Sequence, residues 1–398
     1  MTSDQKDTQA KQVMDTIPEG RLAIIPLKSM AEIGKKVDDY LVQWRSSRVA
    51  EGNVPCSDGY MKESFIVEAD VPRFGSGEAK GTIRKSVRGD DVYFMVDVMN
   101  YSITYKMAGF ENVMSPDDHF QDLKRVISAA GRKPRRINVI MPYLYEGRQI
   151  RQVGRESLDC SGALQELQEL NVDNIITFDA HDSRVQNAIP LAGFETVSPT
   201  YQFIKHVLRE APDLKIDSEH LMVVSPDEGG MSRAIYLANV LGVDMGMFYK
   251  RRDYTTVVNG RNPVLAHEFL GPEAKGKDVI IIDDMISSGD GVLETAQLLK
   301  KKAANRIFIC ATFGILTAGT APFDSAYKRG LFHKLITTNL VYQPKELLEK
   351  PYYRSCDMSK YLALIIDTLN HDQSLSSLLN PIDRIKKVLA KHEQGLAV

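Results

Sequence analysis

Residues 279–305 read VIIIDDMISSGDGVLETAQLLKKKAAN. Four consecutive β-branched residues, Val279–Ile282, form a run too apolar to face water on either side, as expected of a strand buried in a parallel sheet. Two carboxylates follow, Asp283 and Asp284, then a loop of small residues, then an amphipathic helical pattern. Small residues let backbone N–H groups turn inward, and the helix N-terminus adds positive potential. Together they form a cradle for an anion. Carboxylates beside such a cradle suit sugar hydroxyls or a hydrated divalent cation. The plainer alternative is that Asp283 and Asp284 only turn the chain and cap the helix.

The same strand-then-polar-turn layout recurs outward from this stretch. Asn174–Phe178 (NIITF) leads into Asp179-Ala180-His181-Asp182, and Leu221–Val224 (LMVV) leads into SPDEGGMSRA, 225–234. Further strands are expected at Asp91–Val96, Ile137–Met141 and Arg306–Ala311, with amphipathic helices between, one of them over 158–170 with Leu164, Leu167 and Leu170 on one face. This alternation predicts an α/β fold with mainly parallel sheets, whose ligands sit at the carboxyl ends of the strands. Asp227 and His181 stand at such ends. Arg233 lies on the first turns of the helix after Gly229 and Gly230. The basic run Tyr249-Lys250-Arg251-Arg252-Asp253, with Asn259, Gly260 and Asn262 beyond it, falls between two of these motifs. On composition alone that run is solvated surface.

Bulk properties set outer bounds. The chain has 398 residues, 43% hydrophobic and 26% charged, which predicts at least two domains with real cores. A net charge of −2 leaves no basic field for long nucleic acid. Cys56, Cys160, Cys310 and Cys356 are scattered without CxxC spacing, so neither a zinc site nor a disulfide framework is expected. No apolar run approaches membrane-spanning length, and the polar start lacks a signal-peptide core; the expected location is cytoplasmic.

Taken in order, the segments resemble the ribose-phosphate diphosphokinase (PRPP synthetase) family, from about residue 70 to 380. RFGSGEAKGTIRKSVRGDDVYF (73–94) resembles the family's RFSDGE…RGxDVF segment, MPYLYEGRQIR (141–151) its PYYGYARQDR segment, and FDAHD (178–182) its DLHA. SPDEGG, KRR and IIIDDMISSGDG follow in the family's order, as do FDSAYKRGLFHKLITTN and DMSKYLALIIDTLNHDQSLSSLL. The resemblance implies two tandem domains of the type I phosphoribosyltransferase kind. We place a flexible tail at 1–20, an ATP-side domain at 21–195, a ribose-phosphate-side domain at 196–365 and a helical segment at 366–398.

The resemblance also implies roles. Phe74 and Glu78 would reach the adenine of ATP in a neighbouring subunit, making the protein a homo-oligomer. Arg148 and Gln149 would bind nucleotide within their own subunit, and His181 and Asp227 would hold Mg²⁺ on the ATP phosphates. Lys250 and Arg252 would act from a mobile catalytic loop. Asp283, Asp284, Ser287, Ser288, Gly289, Asp290 and Gly291 would hold ribose 5-phosphate. The implied reaction moves the pyrophosphoryl group of ATP to the sugar, with no nucleic acid or membrane involved. A non-catalytic regulatory paralogue and a phosphoribosyltransferase are the competing readings.

Three places depart from the pattern. Ser76 and Ile150 each replace an Asp, and the phosphate loop carries Asp290 where the family reads like DTGGT. Asp290 puts a negative charge where a phosphate dianion is expected, unless it turns away to cap the next helix. Segments 40–70 and 98–120 also exceed what the family's compact amino-terminal domain requires.

Overall fold

A computed structural model of the chain describes residues 17–52, 59–152, 154–252 and 264–397, with backbone alone for 250–252 and 264–267. Two compact units emerge. One comprises the chain up to Val197 together with Asp357–Asn380; the other comprises Ser198–Cys356 and Pro381 onward.

The first unit opens with β1 (Arg21–Pro26) and α1 (Ala31–Ala50), followed by the short pair β2 (Ala69–Asp70) and β3 (Thr82–Ile83). β4 (Asp90–Met95) comes next, then a hairpin of β5 (Thr104–Met107) and β6 (Phe110–Val113), and α2 (Pro116–Ala130). β7 (Arg136–Ile140), α3 (Asp159–Glu169), β8 (Asn174–Phe178) and β9 (Gly193–Val197) complete it. The sheet runs β1-β4-β7-β8-β9, parallel throughout. β4 is buried along its whole length, which is why its sequence shows no polar alternation.

The second unit contains α4 (Thr200–Glu210), β10 (Leu221–Ser225), α5 (Met231–Leu241), β11 (Asp244–Arg252) and β12 (Val264–Leu270). It continues through β13 (Asp278–Ile286), α6 (Asp290–Lys301), β14 (Ile307–Gly314), α7 (Ala321–Lys328), β15 (Lys334–Thr338), α8 (Lys345–Leu348) and β16 (Tyr353–Cys356). Its sheet runs β12-β11-β10-β13-β14-β15-β16, with only β11 and β12 antiparallel. β13 feeds both cores: Val279 and Ile281 pack into one cluster, Ile280 and Ile282 into the other. Each such side chain taken from water contributes about 1.5–3 kcal/mol.

The last elements divide between the units. α9 (Ser359–Asn370) and α10 (Ser376–Leu379) return to the first unit, and α11 (Ile382–Glu393) packs with α4 in the second. α9 begins at Ser359, ahead of the helical segment placed at 366–398, and the chain changes units at Asn380–Pro381. The cause is a buried ion cluster. Asp367 on α9, with no exposed side-chain surface, takes charge-assisted hydrogen bonds from Arg45 and Arg48 on α1. Arg45 also donates to Asn370 Oδ1 at 2.6 Å. The 40–70 segment thus supplies the surface on which α9 docks.

Candidate functional site

The strand order of the second unit reverses between β10 and β13, which are adjacent and parallel. In an open α/β sheet the chain after two such strands leaves in opposite directions, opening a crevice at their carboxyl ends. The loop after β10 carries Asp227, and the end of β13 carries Asp283 and Asp284.

One expectation needs correction here. Asp283 and Asp284 are not in a turn: β13 continues to Ile286, pairing Asp283 with Ala311, Met285 with Phe313 and Ile286 with Gly314. Strand β14 is buried over all eight residues and offers a partner that far, so the acidic pair stays in the ladder. Neither carboxylate caps α6, whose N-cap is Gly289.

The carboxylates converge. Asp284 is buried, with Arg233 Nη2 at 3.7 Å from its Oδ2. Asp283 accepts a hydrogen bond from the Asp284 backbone N–H at 2.9 Å. Gly230 lies so close that a β-carbon there would sit 3.5 Å from Asp283 Oδ1 and 2.7 Å from Ser225 Oγ. Burial, followed by the negative charges of Asp284 and Asp227, pushes the Asp283 carboxyl well above the usual range. The Asp227 loop is built from within: Ser225 Oγ donates to the Asp227 carbonyl at 2.6 Å, and the Gly229 N–H donates to Asp227 Oδ1 at 2.9 Å.

The loop Ser287–Gly291 lies between β13 and α6. Gly289 has φ +95°, and a β-carbon there would fall 2.6 Å from the Phe323 ring, so both conformation and space demand glycine. Asp290 does not turn away to bond the helix N–H groups: its Oδ2 accepts from Ser288 Oγ at 2.9 Å, and its own N–H donates back to Ser288 Oγ at 3.4 Å. The exposed Asp290 carboxylate thus stands at the start of α6 and engages one of the two loop hydroxyls.

The remaining candidates occupy other places. Lys250 and Arg252 fall in the last three residues of β11, paired with β12, and their side chains lie outside the description, as do residues 253–263 with Asn259, Gly260 and Asn262. Cys56 is likewise outside the described residues. In the first unit, Phe74 and Glu78 close a tight turn between β2 and β3. There the Phe74 N–H donates to Glu78 O at 2.7 Å, and Ser76 Oγ donates to Glu78 Oε2 at 2.8 Å. Arg148 and Gln149 are exposed in the loop after β7, where the Gln149 N–H donates to Glu146 O at 2.8 Å. His181 is exposed beyond β8, next to Asp182, whose carboxyl is held below the usual range by hydrogen bonding from Arg184. His181 and Asp227 belong to different units.

The match to known proteins follows the same map. The model of the N-terminal domain of ribose phosphate pyrophosphokinase covers residues 22–170, and the phosphoribosyl transferase domain model covers 200–341, including the whole crevice. The chain belongs to the ribose-phosphate pyrophosphokinase family. Family members similar to it include the ribose-phosphate pyrophosphokinase of Vibrio cholerae, 29% identical over 319 residues, which are 79% of this chain and 91% of the relative. That of Aquifex aeolicus is 29% identical over 288 residues, 70% and 82% of the two chains. The fold is that of phosphoribosylpyrophosphate synthetase from Mycobacterium smegmatis, with a TM-score of 0.69 at 20% identity over 88% of this chain and 99% of that one.

Among the described residues no group of three or more His, Cys, Asp or Glu could hold a metal ion alone. Residues the sequence reading named without a role also find one: Arg233 supplies the cation against Asp284, and Ser225 shapes the Asp227 loop. Their small or generic side chains carry no signal until the strands bring them together.

Proposed function

We propose that this family member is a ribose-phosphate diphosphokinase. The observation that carries the reading is the carboxylate group at the strand-order reversal, beside a small-residue loop opening a helix. Asp283 and Asp284 would accept hydrogen bonds from the ribose hydroxyls. The Ser287–Gly291 loop and the start of α6 would receive the 5-phosphate. Phe74, Glu78, Arg148 and Gln149 would bind ATP. Magnesium, held at Asp227 and, by resemblance alone, His181, would neutralise charge on the polyphosphate.

In the proposed reaction the 1-hydroxyl oxygen of ribose 5-phosphate forms a bond to the β-phosphorus of ATP. The bond from that phosphorus to the α,β-bridging oxygen breaks, AMP departs with that oxygen, and the hydroxyl proton passes to solvent. Phosphoryl-type transfers depend on alignment and on charge stabilisation more than on covalent help from the protein. Lys250 and Arg252 are the proposed cations for the charge that develops on the transferred group.

The non-catalytic paralogue stays in view through one observation: Asp290 holds Ser288 in the phosphate loop. Incubation with Mg-ATP, with and without ribose 5-phosphate, separates the two. AMP release that requires the sugar and is abolished by Lys250→Ala supports the enzyme; ATP binding without AMP supports the paralogue.

A further inference from the structure

The hairpin β5–β6, which lies within the extra segment 98–120, takes no part in the reaction as proposed, yet it is fastened to the turn carrying Phe74 and Glu78. Its two central residues, Ala108 and Gly109, have φ of +50° and +86°, the conformation of a tight two-residue hairpin turn. At this tip the Ala108 N–H donates to Gly75 O at 2.8 Å. Met107 presses against the turn so closely that a β-carbon on Gly77 would fall 2.6 Å from its sulfur. At the base of the turn, the Arg73 guanidinium stacks over Tyr105 of β5, 4.8 Å from the ring centre, and is anchored by Asp122 at 2.6 Å. The hairpin therefore grips the turn at both its tip and its root.

The turn needs such a grip. Gly75-Ser76-Gly77 is a sequence with large conformational freedom, and two backbone bonds close it: Phe74 N–H to Glu78 O and Gly77 N–H to Phe74 O at 2.9 Å. Phe74 keeps 55% of its surface exposed, as a ring awaiting a flat partner would. The hairpin itself buries no residue in either strand, so its contacts serve the turn more than a core.

We infer that β5–β6 is a brace that holds the Phe74–Glu78 turn in its nucleobase-receiving shape, with Met107 as a positioning residue; this rests on the nucleotide role proposed for that turn. Fixing the loop before binding removes ordering cost from the nucleotide-binding step, so the brace acts on ATP affinity and base selectivity.

The test compares the full chain with Met107→Ala, the volume-conserving Met107→Leu, and a variant in which residues 104–113 are replaced by a short Gly-Ser link. Amide hydrogen exchange over 74–78 is measured with and without Mg-ATP, alongside steady-state kinetics. In Met107→Ala the turn amides exchange faster and KM for ATP rises roughly three- to tenfold, the scale of losing one immobilising contact. Discrimination between ATP and GTP narrows, while kcat and KM for ribose 5-phosphate hold. Met107→Leu restores the first two, which a general folding defect would not allow.

Unchanged exchange and unchanged KM for ATP in both Met107→Ala and the linked variant overturn the brace. A loosened turn with ATP affinity and selectivity intact overturns its nucleotide role. If the wild type forms no AMP, the proposed reaction fails separately. The exchange arm then decides alone: protection of 74–78 by Mg-ATP that weakens in Met107→Ala supports the brace, and no protection overturns it.

Discussion

At the scale of single residues, the site works against the stability of its own unit. Asp283 has a folded-state pKa raised by burial and by its acidic neighbours. As pH climbs above the ordinary carboxylate value, the unfolded chain ionises while the folded carboxyl holds its proton. Stability is therefore lost with rising pH until the folded pKa is passed, and the full penalty remains above it. Asp283→Asn removes the penalty, and at neutral pH we expect a gain of about 0.5–2 kcal/mol, the range common when a functional cost is relieved. Sugar-dependent turnover should fall sharply. Urea unfolding beside an AMP assay checks both, and a loss of stability in the variant would contradict the account. Asp290 permits a second prediction. Asp290→Asn keeps an acceptor for Ser288 but deletes a charge facing the incoming phosphate. If the loop takes ribose 5-phosphate, KM for the sugar drops about fivefold, on the order of 1 kcal/mol of removed repulsion at high dielectric. The gain should shrink in high salt. An unchanged KM would show that the phosphate binds elsewhere.

At the scale of elements, apolar runs were the legible part of the sequence. Asn174–Phe178 is the strand the run predicts, and the helix read over 158–170 forms as Asp159–Glu169. What stayed hidden was anything set by a distant partner. The extension of β13 through Asp283 and Asp284 depends on β14 being long enough to pair with it. The departure of α9 from α11 depends on a charge cluster assembled from residues some 320 positions apart, for which no local pattern exists. That cluster has a measurable consequence. Burial alone would raise the Asp367 carboxyl, but the charges of Arg45 and Arg48 outweigh burial and hold it below the usual range. Its contribution is fully present above the unfolded pKa and lost as pH falls through the lower folded value. Asp367→Asn leaves two buried guanidinium groups without their counter-charge, at an expected cost of about 3–5 kcal/mol. Denaturant melts from pH 7 down to pH 3 should show the variant's deficit narrowing in acid. A deficit independent of pH would mean that packing, not charge, docks α9.

At the scale of the whole molecule, the family and its α/β fold could be read from motifs in order, since those at 178–182, 225–230 and 283–291 mark strand ends that the fold keeps. The carboxylate crevice was half legible: Asp227, Asp283 and Asp284 stand out as acids after apolar runs, but their neighbourhood follows from the reversal of strand order between β10 and β13. No residue pattern encodes that reversal. The hairpin within 98–120 was legible only as surplus length, because the role inferred for it rests on contact with a turn some thirty residues earlier. Among the described residues no helix is long and apolar enough to cross a membrane.

The central claim is that the chain transfers a pyrophosphoryl group intact, and phosphorus NMR of a reaction with Mg-ATP and ribose 5-phosphate tests it most directly. The account predicts AMP and a sugar-bound diphosphate forming in equal amounts, with neither appearing in Lys250→Ala. ADP with a sugar monophosphate, or ATP unchanged beside the sugar, would contradict it.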